Sequence, residues 1–238
     1  KSSIVGCMNL LKNNEVSGVF SAGSTGAAMV AAITILGKVK GISRPAIASV
    51  LPGYRRNIVL LDSGANLEVK PQHLLEFAKM GSNFANDSLG IDKPRIGLLN
   101  NGEESTKGRT VEKKTYDLLS KSELNFIGNV EGRDFSRDTA DVFITDGFTG
   151  NMILKSMEGT ARLQQKLIRD ALDTKIAKPI SYIFNRKLKS VNDRFNPDVQ
   201  NGAFLLGVNG PVTIAHGSSS PTAVKNALIY MSKNINNK

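Results

Sequence analysis

The chain has 238 residues, 40% of them hydrophobic, which is enough to bury a sizeable core as one large α/β domain or two small ones, with one domain the expectation. Lys and Arg outnumber Asp and Glu by 31 to 21, a formal charge of +10, so the surface should attract something anionic: phosphate, an acidic protein, nucleic acid or a lipid headgroup. The single cysteine, Cys7, excludes an internal disulfide and a cysteine-built metal site, fits a reducing compartment, and reads as a small buried hydrophobe.

The first residues lack the basic start and continuous apolar stretch of a signal peptide, and no later run reaches transmembrane length. Residues 4–11 already read as the apolar side of a helix, as though the chain starts inside a domain. From residue 16 onward short apolar runs alternate with longer helical patterns, the signature of an α/β domain on a largely parallel sheet. The predicted strands are Val16–Ser21, Ala46–Leu51, Ile58–Asp62, Arg95–Asn100, Asn125–Val130, Val142–Asp146 and Val212–His216. The predicted helices are Thr25–Leu36, Pro71–Asn86, Thr110–Ser120, Gly150–Leu172 and Pro221–Lys233.

Small polar residues gather at the carboxyl ends of these strands: Ser21-Ala-Gly-Ser-Thr-Gly26, Asp62-Ser-Gly-Ala-Asn66, Asn100 to Gly108, Asp146-Gly-Phe-Thr-Gly-Asn151 and His216-Gly-Ser-Ser219. In an open parallel sheet those ends share one edge, so five such loops are expected to line a common crevice. Two of them open helices, framed by Gly23 and Gly26 and by Gly147 and Gly150, where unpaired backbone N–H groups favour an anion and glycine admits close approach. Simple capping by Ser24 and Thr149 would explain either loop as well.

No G-x-G-x-x-G fingerprint follows a strand, and Lys107 precedes rather than follows its glycine, so the phosphate-loop pattern fails too. His73 and His216 are the only histidines, neither in metal-ligand spacing, and no metal or cofactor is expected. His73, at a helix start, reads as a surface or capping residue; His216, beside Gly-Ser-Ser, faces either an anion or a structural hydrogen bond. Without a G-x-S-x-G elbow, and with Cys7 off the crevice edge, a covalent acyl-enzyme is not required, which leaves direct attack by a bound nucleophile.

The loops taken in order resemble one family. Ser21-Ala-Gly-Ser-Thr-Gly-Ala27, Lys40-Gly-Ile-Ser-Arg-Pro45, Leu61-Asp-Ser-Gly-Ala-Asn66, Lys70-Pro-Gln-His73, Asn125-Phe-Ile-Gly-Asn-Val-Glu-Gly132, Asp146-Gly-Phe-Thr-Gly-Asn151 and Ala215-His-Gly-Ser-Ser219 are similar to the PlsX family of phosphate acyltransferases over nearly the whole chain. The resemblance implies transfer of a fatty acyl group from acyl carrier protein to inorganic phosphate, giving an acyl phosphate for phospholipid synthesis. It also implies a homodimer with a Rossmann-like three-layer α/β/α core similar to phosphotransacetylase and isocitrate dehydrogenase. By that likeness Lys107 and Asn151 match catalytic positions. Gly23, Ser24, Thr25, Gly26, Asn66, Gly147, Thr149, Gly150, His216 and Ser218 are the expected phosphate and substrate contacts. Without the likeness, Lys107 reads as a solvated loop lysine and Asn151 as a first-turn cap.

Two departures stand out. Ser24 sits where the family usually carries Asn, and the family's amino-terminal Asp-Ala-Met-Gly-Gly-Asp loop does not occur, so only part of the protein is expected to be represented. Rival readings are a coenzyme A-dependent enzyme of phosphotransacetylase type, a membrane-docked regulator without turnover, and a nucleotide-dependent oxidoreductase, against which the missing fingerprint counts.

Residues 160–196 read as an inserted amphipathic helical hairpin. Leu163, Leu167, Ala171 and Leu172 recur at helical spacing, Pro179 interrupts, and Ile180, Ile183, Phe184, Leu188, Val191 and Phe195 repeat the stripe. Nine Lys or Arg against three Asp between residues 161 and 195 give this segment +6 of the net +10. Ile183, Phe184 and Leu188 are therefore expected at a dimer or membrane contact. The resemblance implies a cytoplasmic protein associated peripherally with the inner face of the cell membrane, with an anionic membrane surface and the carrier protein as partners and no nucleic acid.

Overall fold

The computed structural model describes residues 2–172, 202–215, 217 and 219–236. The predicted hairpin contacts Ile183, Phe184 and Leu188, and the loop residues His216 and Ser218, lie outside the described residues.

In chain order the elements are α1 (Ser3–Lys12), β1 (Val19–Ser21), α2 (Thr25–Ile35), β2 (Ala46–Pro52), β3 (Asn57–Leu61), α3 (Pro71–Leu89), β4 (Ile96–Leu99), α4 (Thr110–Ser120), β5 (Phe126–Val130), β6 (Val142–Ile144), α5 (Gly147–Leu172), β7 (Ala203–Leu206), β8 (Val212–Ile214) and α6 (Pro221–Asn236). Every predicted strand and helix has a counterpart. The strand β7, in a short Ala-Phe-Leu-Leu run behind Gly202, was not predicted.

The strands form one mixed sheet in the order β1-β8-β7-β2-β3-β6-β4-β5. Four neighbouring pairs are parallel, β1 with β8 and then β3, β6, β4 and β5 in succession. Three are antiparallel: β2 with β3, β2 with β7, and β7 with β8.

Alternation along the strands decides the layers, because successive side chains leave a pleated strand on opposite faces. Val59 and Leu61 of β3, with Val142 and Ile144 of β6, join Leu74, Phe77 and Phe84 of α3 and Leu119 of α4 in one core. Ile58, Leu60 and Phe143 point the other way, into a second core with Phe135 and with Ile153, Leu154 and Met157 of α5. A third cluster packs α1 and α2 on β1, β7 and β8 through Met8, Leu11, Ala28, Ala32, Val212 and Ile214. The arrangement is the expected three-layer α/β/α fold.

The helix α3 shows how local sequence sets an element. Pro71 opens it where a missing N–H costs nothing, and Gly90 closes it in the left-handed region at φ 66°. Between them Leu74, Phe77, Ala78, Gly81, Phe84 and Ala85 recur at three- and four-residue steps and bury one face.

Beneath the far end of the sheet an ion-pair network ties β4 to the approach of β6. Arg95 donates to both oxygens of Asp141, Nε to Oδ2 at 3.0 Å and Nη2 to Oδ1 at 3.0 Å, and Arg56 Nη2 reaches Asp141 Oδ1 at 2.9 Å. Burial pushes the Asp141 carboxyl up, but hydrogen bonds from Arg95 and the charges of Arg95 and Arg56 pull harder and hold it below the ordinary carboxylate range. A depressed carboxyl contributes stability that is present above its unfolded pKa and lost as pH falls through the folded value. Arg95→Met should therefore cost about 3 kcal/mol at neutral pH in a urea titration, with the difference from wild type shrinking below about pH 4.

Candidate active site

The strand directions overturn the single-edge crevice. The strand β2 runs antiparallel to β3, and β7 runs antiparallel to both β2 and β8, so β1 and β8 point opposite to β3, β4, β5 and β6. The loops after β3, β4 and β6 share one edge, while Ser21–Gly26 and the turn after β8 leave from the other. Composition at strand ends carries no record of strand polarity, which the antiparallel members in mid-sheet reverse.

What gathers residues from both edges is a cavity of about 340 Å³ over the middle of the sheet. Its floor is Ile47, Ser49 and Val50 of β2 with Gly202 and Ala203 at β7; Ser63 and Gly64 close one side, and Thr25, Ala215, Ser219 and Ala223 the other. Asn151, Leu154, Lys155 and Glu158 of α5 form its roof. Those four positions lie at i, i+3, i+4 and i+7, one stripe of a helix, so α5 presents a single face to the cavity.

Groups from α2, α5 and β2 are available to a ligand at this cavity, which Thr25 lines with Gly26 the next residue. The Thr25 and Gly26 N–H groups, in the first turn of α2, have no hydrogen-bond partner among the described residues, and nothing lies within 4 Å of where a Gly26 side chain would begin. The Asn151 amide likewise makes no hydrogen bond among the described residues; it packs over Gly64, whose φ of 145° no other residue adopts readily. On the floor the Ser63 hydroxyl donates to the Ile47 carbonyl at 3.1 Å, so its proton is spent and Ser49 donates to Ser63 at 2.7 Å. Ser49 therefore offers only lone pairs to the cavity and suits a ligand that brings its own proton. Lys155 supplies positive charge beside Asn151, paired with Glu158 at 2.9 Å.

Ser24 is the N-cap of α2, its hydroxyl accepting from the Ala27 N–H at 3.4 Å. Gly23 is exposed, its N–H turned toward the Ser21 hydroxyl at 3.3 Å.

The expected anion turn at Gly147–Gly150 is already filled by the protein. The Asp146 carboxylate accepts from the Thr149 N–H at 2.7 Å and the Thr149 hydroxyl at 3.1 Å, and from Arg109 at 2.6 Å. The Gly147 N–H donates to the Asn66 carbonyl and the Gly150 N–H to the Asp146 carbonyl. These glycines are there for contact: a Cβ on Gly150 would stand 1.9 Å from the Asp62 carbonyl oxygen, and one on Gly147 would stand 2.7 Å from the Asn66 nitrogen. The loops that looked like two anion sites are thus one open helix start, at Thr25 and Gly26, and one helix start capped by its own aspartate.

Asn66 also serves the frame. Its side-chain amide donates to the Pro45 carbonyl at 2.9 Å and to Asp62 at 2.8 Å, and it does not line the cavity. Asp62, fully buried, takes N–H groups from Ile47, Gly64, Ala65 and Asn66 as well, so one carboxylate ties β2 to the wall that bears Ser63 and Gly64. Burial pushes this carboxyl above the ordinary range, against the pull of those donors.

Lys107 stands apart from Asn151. Its ammonium lies 4.0 Å from Glu104, and it does not line the cavity. Its loop borders a second cleft of about 620 Å³ through Asn100, Asn101, Gly108 and Arg109, closed by Glu112, Gly132 and, on the other flank of α5, Thr149 and Ile153. Arg109 there is held by Glu112 and then Asp146, which together raise an already high pKa. Two smaller expectations resolve differently. His73 Nδ1 accepts from the Lys70 N–H at 3.1 Å, the cap foreseen for it, whereas Cys7 is exposed on α1 rather than buried.

Sequence reasoning missed Ser49, Lys155 and Glu158, and placed Ser63 in a crevice loop without giving it a role. Lys155 and Glu158 were within reach, since they follow Asn151 at helical spacing; Ser49 sits in an apolar strand and gave no signal.

The comparisons with known proteins agree with this architecture. The family described as "Fatty acid synthesis protein" matches residues 1–238. The chain is 47% identical over 238 residues to a phosphate acyltransferase of Pelotomaculum thermopropionicum, covering 100% of this chain and 70% of that protein. It is 45% identical over 228 residues to one of Elusimicrobium minutum, covering 95% and 67%. Among solved structures it is similar to a branched-chain phosphotransacylase of Enterococcus faecalis, at a TM-score of 0.65 and 14% identity, covering 98% of this chain and 79% of that one. It is also similar to the EutD phosphotransacetylase of Staphylococcus aureus, at 0.62 and 16%, covering 99% and 67%; at such identities these structures speak for the fold alone. With its full length matched and relatives above 40% identity, the chain belongs to the family of fatty acid synthesis proteins that contains the phosphate acyltransferases.

Proposed function

We propose that this chain transfers a fatty acyl group from an acyl carrier protein thioester to inorganic phosphate, releasing acyl phosphate and the carrier thiol. One observation carries the reading: the cavity joins an open helix N-terminus, suited to an anion, to an unengaged amide on a largely apolar wall, with no strong base between them. Hydrogen phosphate already carries a nucleophilic oxygen at neutral pH. That oxygen forms the new C–O bond, the C–S bond breaks with its electron pair going to sulfur, and the phosphate proton ends on the departing thiol.

The chain's part is to place the reactants and stabilise charge. Thr25 and Gly26 N–H groups hold phosphate oxygens, Ser49 accepts the phosphate O–H, and the Asn151 amide donates to the carbonyl oxygen as it gains charge. Lys155 offsets the phosphate charge from the roof. Lys107, on the neighbouring loop and outside the cavity lining, is proposed for the same neutralising role. His216 and Ser218 are proposed phosphate contacts beside Ser219.

The test is acyl phosphate formation measured side by side with acyl carrier protein and acyl coenzyme A thioesters. Turnover should require phosphate and prefer the carrier thioester by at least tenfold in kcat/KM; equal or better use of coenzyme A would favour the phosphotransacetylase-type reading instead.

Dimer formation and membrane docking belong to the same proposal. No helix among the described residues is long and apolar enough to cross a membrane. The described part of α5 exposes Met152, Leu163 and Leu167, an apolar stripe leading toward the basic segment. Vesicle co-sedimentation should rise with anionic lipid, weaken with salt, and fall several-fold when Ile183 and Phe184 are both replaced by Asp.

A further inference from the structure

Two of the family-like motifs, Lys40-Gly-Ile-Ser-Arg-Pro45 and Lys70-Pro-Gln-His73, contribute nothing to the cavity lining, yet the fold brings them together. Ser43 donates to Glu76 of α3 through its N–H at 2.8 Å and its hydroxyl at 2.6 Å, which pins the loop between α2 and β2 against the start of α3. Lys38 closes that loop by donating to the Ser43 carbonyl at 2.9 Å. Lys40, Arg44 and Lys70 are left on the surface, all exposed and none in an ion pair among the described residues.

This cluster is electrostatically unanswered, and that sets it apart from the arginines elsewhere. Of the seven arginines between residues 40 and 150, Arg44 alone has no carboxylate partner among the described residues; Arg55, Arg56, Arg95, Arg109, Arg133 and Arg137 all do. The start of α3 adds to the imbalance. Lys70 is its N-cap and its first turn holds no acidic residue, so a cation sits where the helix dipole favours an anion. Compare α4, whose Arg109 cap is met by Glu112 and Asp146. Arg44 and Lys70 also act on His73, whose pKa is lowered by burial and then by Arg44, with Lys70 adding to it; Glu76 opposes but is committed to Ser43. The nearest other acid in sequence, Glu68, is exposed and makes no ion pair among the described residues.

The cluster is also tied through the backbone to one wall of the cavity. The Pro45 carbonyl is held by Asn66, and Ile47 exchanges hydrogen bonds with Asp62 and Ser63, so the basic loop is laced to the wall that carries Ser63 and Gly64. Arg44 lies three residues before Ile47 on the floor, within about 11 Å of chain.

We propose that Lys40, Arg44 and Lys70 form the docking surface for the acyl carrier protein, receiving an acidic face of that partner while its thioester arm enters the cavity. The inference rests on the carrier-thioester reading above. An acidic protein fits better than lipid because the cations surround a polar helix start, and the large apolar side chains exposed beside them, Val39 and Leu67, stand singly on two separate loops rather than as the apolar helix face that enters a bilayer. Steering by such a patch raises the rate of encounter and is screened by salt.

The experiment compares wild type with the triple variant Lys40→Glu, Arg44→Glu, Lys70→Glu, none of whose side chains makes a hydrogen bond that holds the loop. Three readouts are taken: the kinetic constants with acyl carrier protein, direct binding of acyl carrier protein without phosphate, and binding to anionic vesicles. The variant should raise KM for acyl carrier protein by about tenfold or more and weaken direct binding alike, with kcat and the KM for phosphate changed less than about twofold. Raising salt should weaken the wild type toward the variant. An unchanged KM and unchanged binding in a folded variant overturns the proposal, as does loss of vesicle binding alone. If wild type binds the carrier through these residues yet forms no acyl phosphate, the patch stands and the proposed reaction falls; no carrier binding by wild type sinks both.

Discussion

Asn151→Ala should leave a folded protein that has lost on the order of a hundredfold or more in kcat, the usual cost of removing one donor to an oxygen that gains charge in the transition state. The expectation follows from placement. Asn151 sits in the first turns of α5 on the stripe that roofs the cavity, its amide unengaged among the described residues, so truncation removes no bond that holds the fold. The KM for phosphate should move little, because the amide is assigned to the carbonyl oxygen rather than to the anion. Lys107→Ala should also fold and lose most activity. Here the structure sharpens the question, since Lys155 and not Lys107 lines the cavity. Single-turnover rates for Lys107→Ala and Lys155→Ala side by side decide which cation acts on the reacting atoms. Near wild-type rates in Asn151→Ala or Lys107→Ala would remove that residue from the mechanism.

Gly150→Ala should be among the most damaging single substitutions available, costing more than about 4 kcal/mol or abolishing the fold. The added Cβ would sit 1.9 Å from the Asp62 carbonyl oxygen and 3.2 Å from the Ser63 Cα, both backbone atoms held in place by the hydrogen bonds that Asp62 gathers. Backbone cannot swing aside as a flexible side chain can, so α5 would have to lift from the sheet, taking Asn151, Leu154 and Lys155 off the cavity. Gly159, in the same helix, is the control: nothing lies within 4 Å of its missing Cβ, and Gly159→Ala should be neutral or stabilise by about 0.5–1 kcal/mol through helix propensity. Thermal melts of the two variants check both. A Gly150→Ala protein that melts with wild type would mean that α5 and the Asp62 segment are not packed as described.

These two residues also divide what was legible in the sequence from what was not. Asn151 was readable because the Asp146–Asn151 loop resembles a known series; its partners on α5 follow from the 3.6-residue period alone. Gly150 was readable as important, but for the wrong reason: glycine ahead of a helix suggests room for an anion, and here the room is filled by the Asp62 carbonyl. Asp146 shows the same inversion, since a carboxylate that caps its own helix leaves that N-terminus no unmet need.

By itself the sequence determined the α/β class, the order and extent of nearly every element, and the family, because hydrophobic period, helix punctuation and loop composition are local properties of the chain. Tertiary structure alone decided which way the strands run, and with it which loops meet. The short strand β7 inserts between β8 and β2 and runs against both, and β2 runs against β3, so the sheet changes polarity in its middle. Pairing between residues 160 positions apart, Ala46 with Leu206 for example, leaves no trace in local pattern, since a strand buried on both faces reads the same in either direction. The cavity exists because of that reversal: it is where α5, the open start of α2 and the Ser49–Ser63 pair come within reach of one ligand.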